Sequence, residues 1–224
     1  MWIRLMHMKM YVENRLEVGY NNRRYFEEDE QMRKGIAGVL ALLCSVVLFG
    51  CGSTEKEITT ITVEKDKSLT STIVEAFDRD YYDTEDLKEY TLDAVAAYNT
   101  ASGGAVSVSK VEAKDGVVEV QMKYGNAQDY AGFNEKEFFV GTVAEAYDAG
   151  LDLDVLLQDI SDKSRTAGKN EILQMGEKNL VVLEEEIAVE VPGKILYVSG
   201  GTEVLGTSRV VVHPGGGASY IIYN

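Results

Sequence analysis

Apolar and polar positions in the C-terminal three quarters of the chain follow two periods. Glu57 to Val63 is rich in Ile and Thr, and Lys65-Asp66-Lys67 forms a polar turn. Leu69, Ile73 and Phe77 then recur on alternating positions of the next run. This is the pattern of a β-hairpin. Asp83 is placed to cap a helix whose first turn carries Glu85 and Asp86, with Leu87, Tyr90, Ala94, Val95 and Tyr98 at three- and four-residue steps. Gly103-Gly104 stops it, Val106 and Val108 open another strand, and Asp115-Gly116 is a hairpin turn. Val118, Val120, Met122 and Tyr124 alternate on the return.

Further along, Ala127 to Phe133 predicts a short helical turn and Phe138-Phe139-Val140 an apolar run. Thr142 and Glu145 have capping-box spacing, with Gly150 set to end that helix. Leu151 to Ile160 predicts one more helix, and the polar Ser161 to Asn170 a loop. From Leu180 the pattern is β: Val181–Leu183, Ile187–Val191, Ile195–Val198, Val210–Val212 and Tyr220–Tyr223. Pro192-Gly193, Gly200-Gly201, Gly206 and Gly215-Gly216-Gly217 separate these runs as turns. The fold class expected is α+β: an antiparallel β-sheet with one main amphipathic helix and one or two short helices.

Ahead of this domain the pattern changes. Arg33 and Lys34 follow Met32, and then come Ile36, Ala37, Val39 to Leu43 and Val46 to Phe49, a basic segment followed by about a dozen apolar positions, as in an export signal. The stretch ends Leu48-Phe49-Gly50-Cys51. This ending resembles the lipobox of bacterial lipoproteins, with Phe49 bulkier than the commonest choice. The resemblance implies that Leu48, Phe49 and Gly50 form the peptidase recognition sequence. It also implies that Cys51 receives a covalent diacylglycerol, the only cofactor-like group expected, before cleavage on its N-terminal side. The alternative is an uncleaved membrane helix over Gly35 to Thr54, a run barely long enough to cross a bilayer.

Residues 1–31 are then read as a spurious N-terminal extension, with Met32 as the start; Glu27-Glu28 can be encoded by a purine-rich ribosome-binding sequence at a suitable distance. Residues 32–50 are the signal peptide, 51–56 a lipidated tether and 57–224 a single exported domain.

Composition narrows the partners. The full chain carries a net charge of −15. From Cys51 onward, 31 acidic residues face 15 basic ones. Such a body is repelled by phosphate backbones and anionic headgroups, so nucleic acid is excluded as an expected partner and the membrane is reached through the lipid anchor alone. Of the two cysteines, Cys44 lies in the signal and Cys51 at the new N-terminus, so no internal disulfide is expected. Stability must come from burial.

Candidate chemistry is sparse. Asp78, Asp80 and Asp83, with Glu85 and Asp86, are the densest acidic cluster and a possible calcium site, although they lack the glycine and spacing of a known calcium loop. A solvated helix start, favoured by the helix dipole, accounts for them better. His213, beside Pro214, is the one histidine past Cys51, which leaves neither a second imidazole for zinc nor a ready triad. Tyr81, Tyr82, Tyr130, Phe133, Phe138, Phe139 and Tyr147 concentrate the aromatics mid-chain, where core packing competes with a sugar- or peptide-binding face.

The segments Phe77-Asp78-Arg79-Asp80-Tyr81-Tyr82-Asp83 and Asp129-Tyr130-Ala131-Gly132-Phe133-Asn134 are similar to parts of small lipoproteins of Gram-positive anaerobes. That resemblance implies the outer face of the cytoplasmic membrane and no particular activity. The function expected is a non-catalytic, lipid-anchored surface protein that binds a protein or cell-envelope component. Alternatives are an accessory ligand-binding lipoprotein for a transporter and a carboxylate-based envelope enzyme.

Overall fold

The computed structural model describes residues 58–215 and 217–224. The expected extension, signal, lipobox and tether, including Leu48, Phe49, Gly50 and Cys51, lie outside the described residues, as does Glu57.

The first hairpin forms as its pattern predicts: β1 (Thr60–Val63) pairs antiparallel with β2 (Leu69–Ala76), Val63 opposite Leu69. Asp83 caps α1 (Thr84–Ser102), its Oδ1 accepting the N–H of Glu85 at 2.7 Å and of Asp86 at 3.2 Å. Gly103 ends that helix at φ 66°, a left-handed conformation glycine adopts without strain. β3 (Val106–Lys114) and β4 (Val117–Tyr124) follow, joined at Asp115 and Gly116, both with positive φ as a two-residue hairpin turn requires. α2 (Ala127–Asn134) and β5 (Phe138–Thr142) come next. α3 (Val143–Asp148) starts with a complete capping box: the Thr142 hydroxyl accepts the Glu145 N–H at 3.1 Å, and Glu145 Oε2 accepts the Thr142 N–H at 2.6 Å.

The segment after α3 departs from expectation. No helix spans Leu151 to Ile160; the chain is irregular to Leu156 and then forms β6 (Leu157–Asp159). The Asp152 carbonyl, which a helix would offer to the N–H four residues on, instead accepts the Tyr220 hydroxyl at 2.5 Å, while its side chain accepts the Asp154 N–H at 2.8 Å. Ser161 to Asn170 is not one loop either: β7 (Thr166–Ala167) pairs with β6, and α4 (Lys169–Gln174) begins at once. The remaining strands are β8 (Asn179–Leu183), β9 (Ile187–Glu190), β10 (Ile195–Ser199), β11 (Thr202–Val204), β12 (Arg209–Val212) and β13 (Ser219–Tyr223).

These strands build two sheets rather than one. The large sheet has the order β11-β12-β9-β1-β2-β4-β3 and the small sheet β5-β8-β13-β10-β6-β7. Pairing is antiparallel throughout except between β1 and β9, which run parallel with Ile61 opposite Val189, so the fold is mixed α and β with mostly antiparallel sheets. Several turns expected within one sheet are crossings between two. Pro192-Gly193 leads from β9 to β10, Gly200-Gly201 from β10 to β11, and the Gly-rich link after Val212 from β12 to β13, each time changing sheet. The last strand thereby sits inside the small sheet between β8 and β10, and all five of its residues are buried.

The main core lies between the sheets and under α1 and α2. Ile61, Leu69, Val120, Met122, Val189 and Val210 of the large sheet meet Val181, Leu183, Ile195 and Ile221 of the small one, with Leu87 and Val95 of α1. Removing an aliphatic side chain of that size fully from water contributes roughly 1.5–3 kcal/mol, which makes this layer the main source of stability in a chain expected to lack disulfides. A second cluster covers the other face of the small sheet, where Val143, Ala146, Leu153, Leu157 and Ile172 pack on Leu180, Val182 and Ile222. The opposite face of the large sheet keeps Thr60, Thr62, Thr70, Thr72, Gln121 and Lys123 at or near the surface.

Candidate functional site

The parallel pairing of β1 with β9 shapes a groove in the surface. β1 and β9 end side by side, and there their chains diverge: β1 turns back into β2, while β9 leaves for the small sheet through Pro192. Divergence at the carboxyl ends of adjacent parallel strands opens a crevice, for the reason that ligands collect at such points in α/β sheets. Here it is a groove of about 500 Å³ lined by residues that include Thr62, Glu64, Asp66, Glu190 and Pro192. On the other side of the same β1–β2 turn lies a second groove of about 490 Å³, between Glu64, Ser68 and Thr70 and the wall of Ala105, Lys123 and Gly125. Both grooves open to solvent.

The turn between them is fixed by its own hydrogen bonds. Glu64 N–H donates to the Ser68 carbonyl at 2.9 Å and Lys67 N–H to the Glu64 carbonyl at 3.0 Å, with Lys67 at φ 66°. Asp66 Oδ1 accepts both the hydroxyl and the N–H of Ser68, at 2.6 and 3.0 Å. The Ser68 hydroxyl first, and then its N–H, hold the Asp66 carboxyl below the usual range. Glu64 Oε1 accepts the Thr70 hydroxyl at 3.2 Å. From the tip, Lys67 Nζ reaches Glu145 Oε2 at 3.1 Å and ties the large sheet to the capping box of α3.

Behind the second groove the wall is aromatic. Tyr124 lines the groove yet is buried, its ring centroid 5.1 Å from that of Tyr130, which in turn lies 4.6 Å from that of Phe138. The Tyr124 hydroxyl accepts the Asn134 side-chain N–H at 3.4 Å, and Tyr130 donates to Glu185 at 2.9 Å. Burial pushes the Tyr124 phenol up to about 12 and raises Tyr130 as well, with Glu185 adding to the latter. These phenols are structural rather than reactive.

The residues singled out from sequence are dispersed. Asp83 is committed to the α1 cap, and Asp78 lies 3.7 Å from the Arg79 guanidinium at the surface. Among the described residues no three His, Cys, Asp or Glu side chains gather as a metal-ligating group. His213 Nδ1 lies 2.9 Å from Glu186 on an exposed edge. Of the mid-chain aromatics, Tyr130, Phe133 and Phe138 are core, whereas Tyr81 and Tyr147 are exposed.

Sequence reasoning placed Lys65-Asp66-Lys67 and Pro192-Gly193 at turns but did not join them. What joins them is the pairing of β1 with a strand more than a hundred residues away, which has no local signature. Comparison with protein-family models, with curated proteins and with solved structures finds no match for this chain.

Proposed function

We propose that this protein is a membrane-anchored, non-catalytic surface lipoprotein that binds a protein or cell-envelope component through the two grooves flanking the β1–β2 turn. The observation that carries the binding half is the pair of open grooves sharing one rigid turn, where Glu64 and Asp66 accept hydrogen bonds from neighbours. A general acid needs a carboxyl held protonated near neutral pH. Asp66 is held the opposite way, so it is not a general acid at this turn. Hydroxyls, two lysines and carboxylates spread over shallow walls suit a polar, extended surface rather than an engulfed small molecule.

The anchor half rests on the sequence: the basic and apolar segments after Met32 and the Leu48-Phe49-Gly50-Cys51 ending. Two acyl chains at about 0.8 kcal/mol per buried methylene hold where one chain binds only marginally, and they hold an acidic body despite its charge. No helix among the described residues is long and apolar enough to cross a membrane.

Photo-crosslinking in native membranes tests the binding site. A photoreactive residue at Lys65 or Lys123 is expected to give one shared adduct that the same residue at exposed Asp148, on α3, does not give. Equal labelling from all three positions, or none, would count against the grooves.

A further inference from the structure

We infer that the end of the large sheet where β1 begins is the face this domain turns toward the bilayer, with Ile58, Tyr81 and Val117 as its lipid contacts. The inference rests on the reading of Cys51 as the lipidated residue and adds how the tethered body sits. Seven peptide steps separate Cys51 from Ile58, a reach of at most about 25 Å even fully extended. The sheet itself is as long: β2 and β4 have eight residues each, about 27 Å. Of its two ends, the one where β1 begins is therefore held near the lipid, while the grooves at the far end of β1 point away.

That near end carries three exposed apolar or aromatic side chains. Ile58, Tyr81 and Val117 are 44, 43 and 40% exposed. The Thr59 hydroxyl bonds both the N–H and the carbonyl of Val74, which sets Ile58 beside the end of β2. Ala76 pairs with Val117, and the Phe77 N–H donates to the Gly116 carbonyl at 2.7 Å. The Tyr82 ring stacks on Phe77 at 4.8 Å, and Tyr81 meets Tyr82 edge-on at 4.9 Å. Tyrosine, with an apolar ring and a polar tip, suits the headgroup level.

Charge decides how this face is held. Asp78, Asp80, Asp83, Glu85, Asp86 and Asp115 outnumber Arg79, Lys88 and Lys114 there, so free adsorption to anionic lipid is opposed. The anchor supplies the local concentration instead, and Ile58, Tyr81 and Val117 set orientation. Contact should be closest on zwitterionic lipid; on anionic lipid it should tighten as salt shortens the screening length below about 10 Å.

The test uses the chain's one tryptophan, Trp2, which lies ahead of the proposed cleavage point. A tryptophan introduced into the mature chain then reports alone. Full-length Tyr81→Trp, Val117→Trp and Lys65→Trp forms, processed in a lipoprotein-competent host, are placed in phosphatidylcholine vesicles containing lipid spin-labelled near the headgroup. Expected is quenching at least twofold stronger at positions 81 and 117 than at 65. Equal quenching, or stronger quenching at 65, on a chain whose Cys51 carries diacylglycerol by mass would overturn the orientation alone. A Cys51 without lipid would overturn the anchor and the orientation together.

Discussion

Lys67 and Glu145, 78 positions apart, meet at 3.1 Å between the β1–β2 turn and α3, and the Glu145 oxygen involved is the one that also accepts the Thr142 N–H. One carboxylate thus closes the cap of α3 and holds the tip of the turn that separates the grooves. The two partners are not equivalent. Lys67 loses only an exposed ion pair when replaced, whereas Glu145 also loses the cap, whose N–H first and Lys67 second keep its carboxyl low. Lys67→Gln should cost about 0.2–1 kcal/mol, and Glu145→Ala about 1 kcal/mol more, by denaturant unfolding. Equal costs would mean the cap contributes nothing.

The alternating burial of the sheet strands was legible, and so were the caps, because Asp83, Gly103, Thr142 and Glu145 act within a few residues of themselves. The Leu151–Ile160 misreading had a visible remedy. Leu151, Leu153, Val155 and Leu157 repeat every second residue, the period of an extended chain, and Leu153 and Leu157 are indeed buried. The sheet crossings at Pro192, Gly200 and Gly215 were not legible, since a turn to a neighbour and a turn to the opposite layer use the same residues. The first groove depends on the crossing at Pro192 and was missed with it.

Ile221 is central in a strand buried on both faces. Ile221→Ala should destabilise by roughly 2–5 kcal/mol, through lost burial and the cavity left behind. Thermal or urea unfolding of the purified variant reads this directly, and a cost below 1 kcal/mol would contradict the central place given to β13.

Gly125 borders the second groove, and a methyl group there would lie 2.9 Å from the Ala105 side chain and 3.0 Å from the Asp129 carboxylate. Gly125→Ala should cost about 1–3 kcal/mol as the loop before α2 shifts. It should also weaken crosslinking from Lys123 more than from Lys65, because only the second groove contains this wall. Undiminished labelling at Lys123 would separate the wall from binding.

Alkali should find a weak point in the buried phenols. Tyr124 and Tyr223 are pushed up to about 12 by burial, and Tyr130 is raised too, so the folded state holds these protons more tightly than the unfolded chain. Their contribution is fully present below the unfolded value near 10 and is lost as pH rises through the folded values. Unfolding free energy should therefore fall between about pH 10 and 12, by as much as ~1.4 kcal/mol per unit for each such group. Phenolate absorbance from Tyr124 and Tyr223 should not appear in the folded protein until about pH 12; its appearance there near pH 10 would refute their burial.

The most direct test of the account is the mass of the N-terminal peptide from the membrane-extracted protein. The account predicts a chain that begins at Cys51 and carries diacylglycerol, with the Cys51→Ala form neither lipidated nor cut at that bond. A membrane-bound chain that still contains Met32, or one whose Cys51 thiol is free, would contradict it.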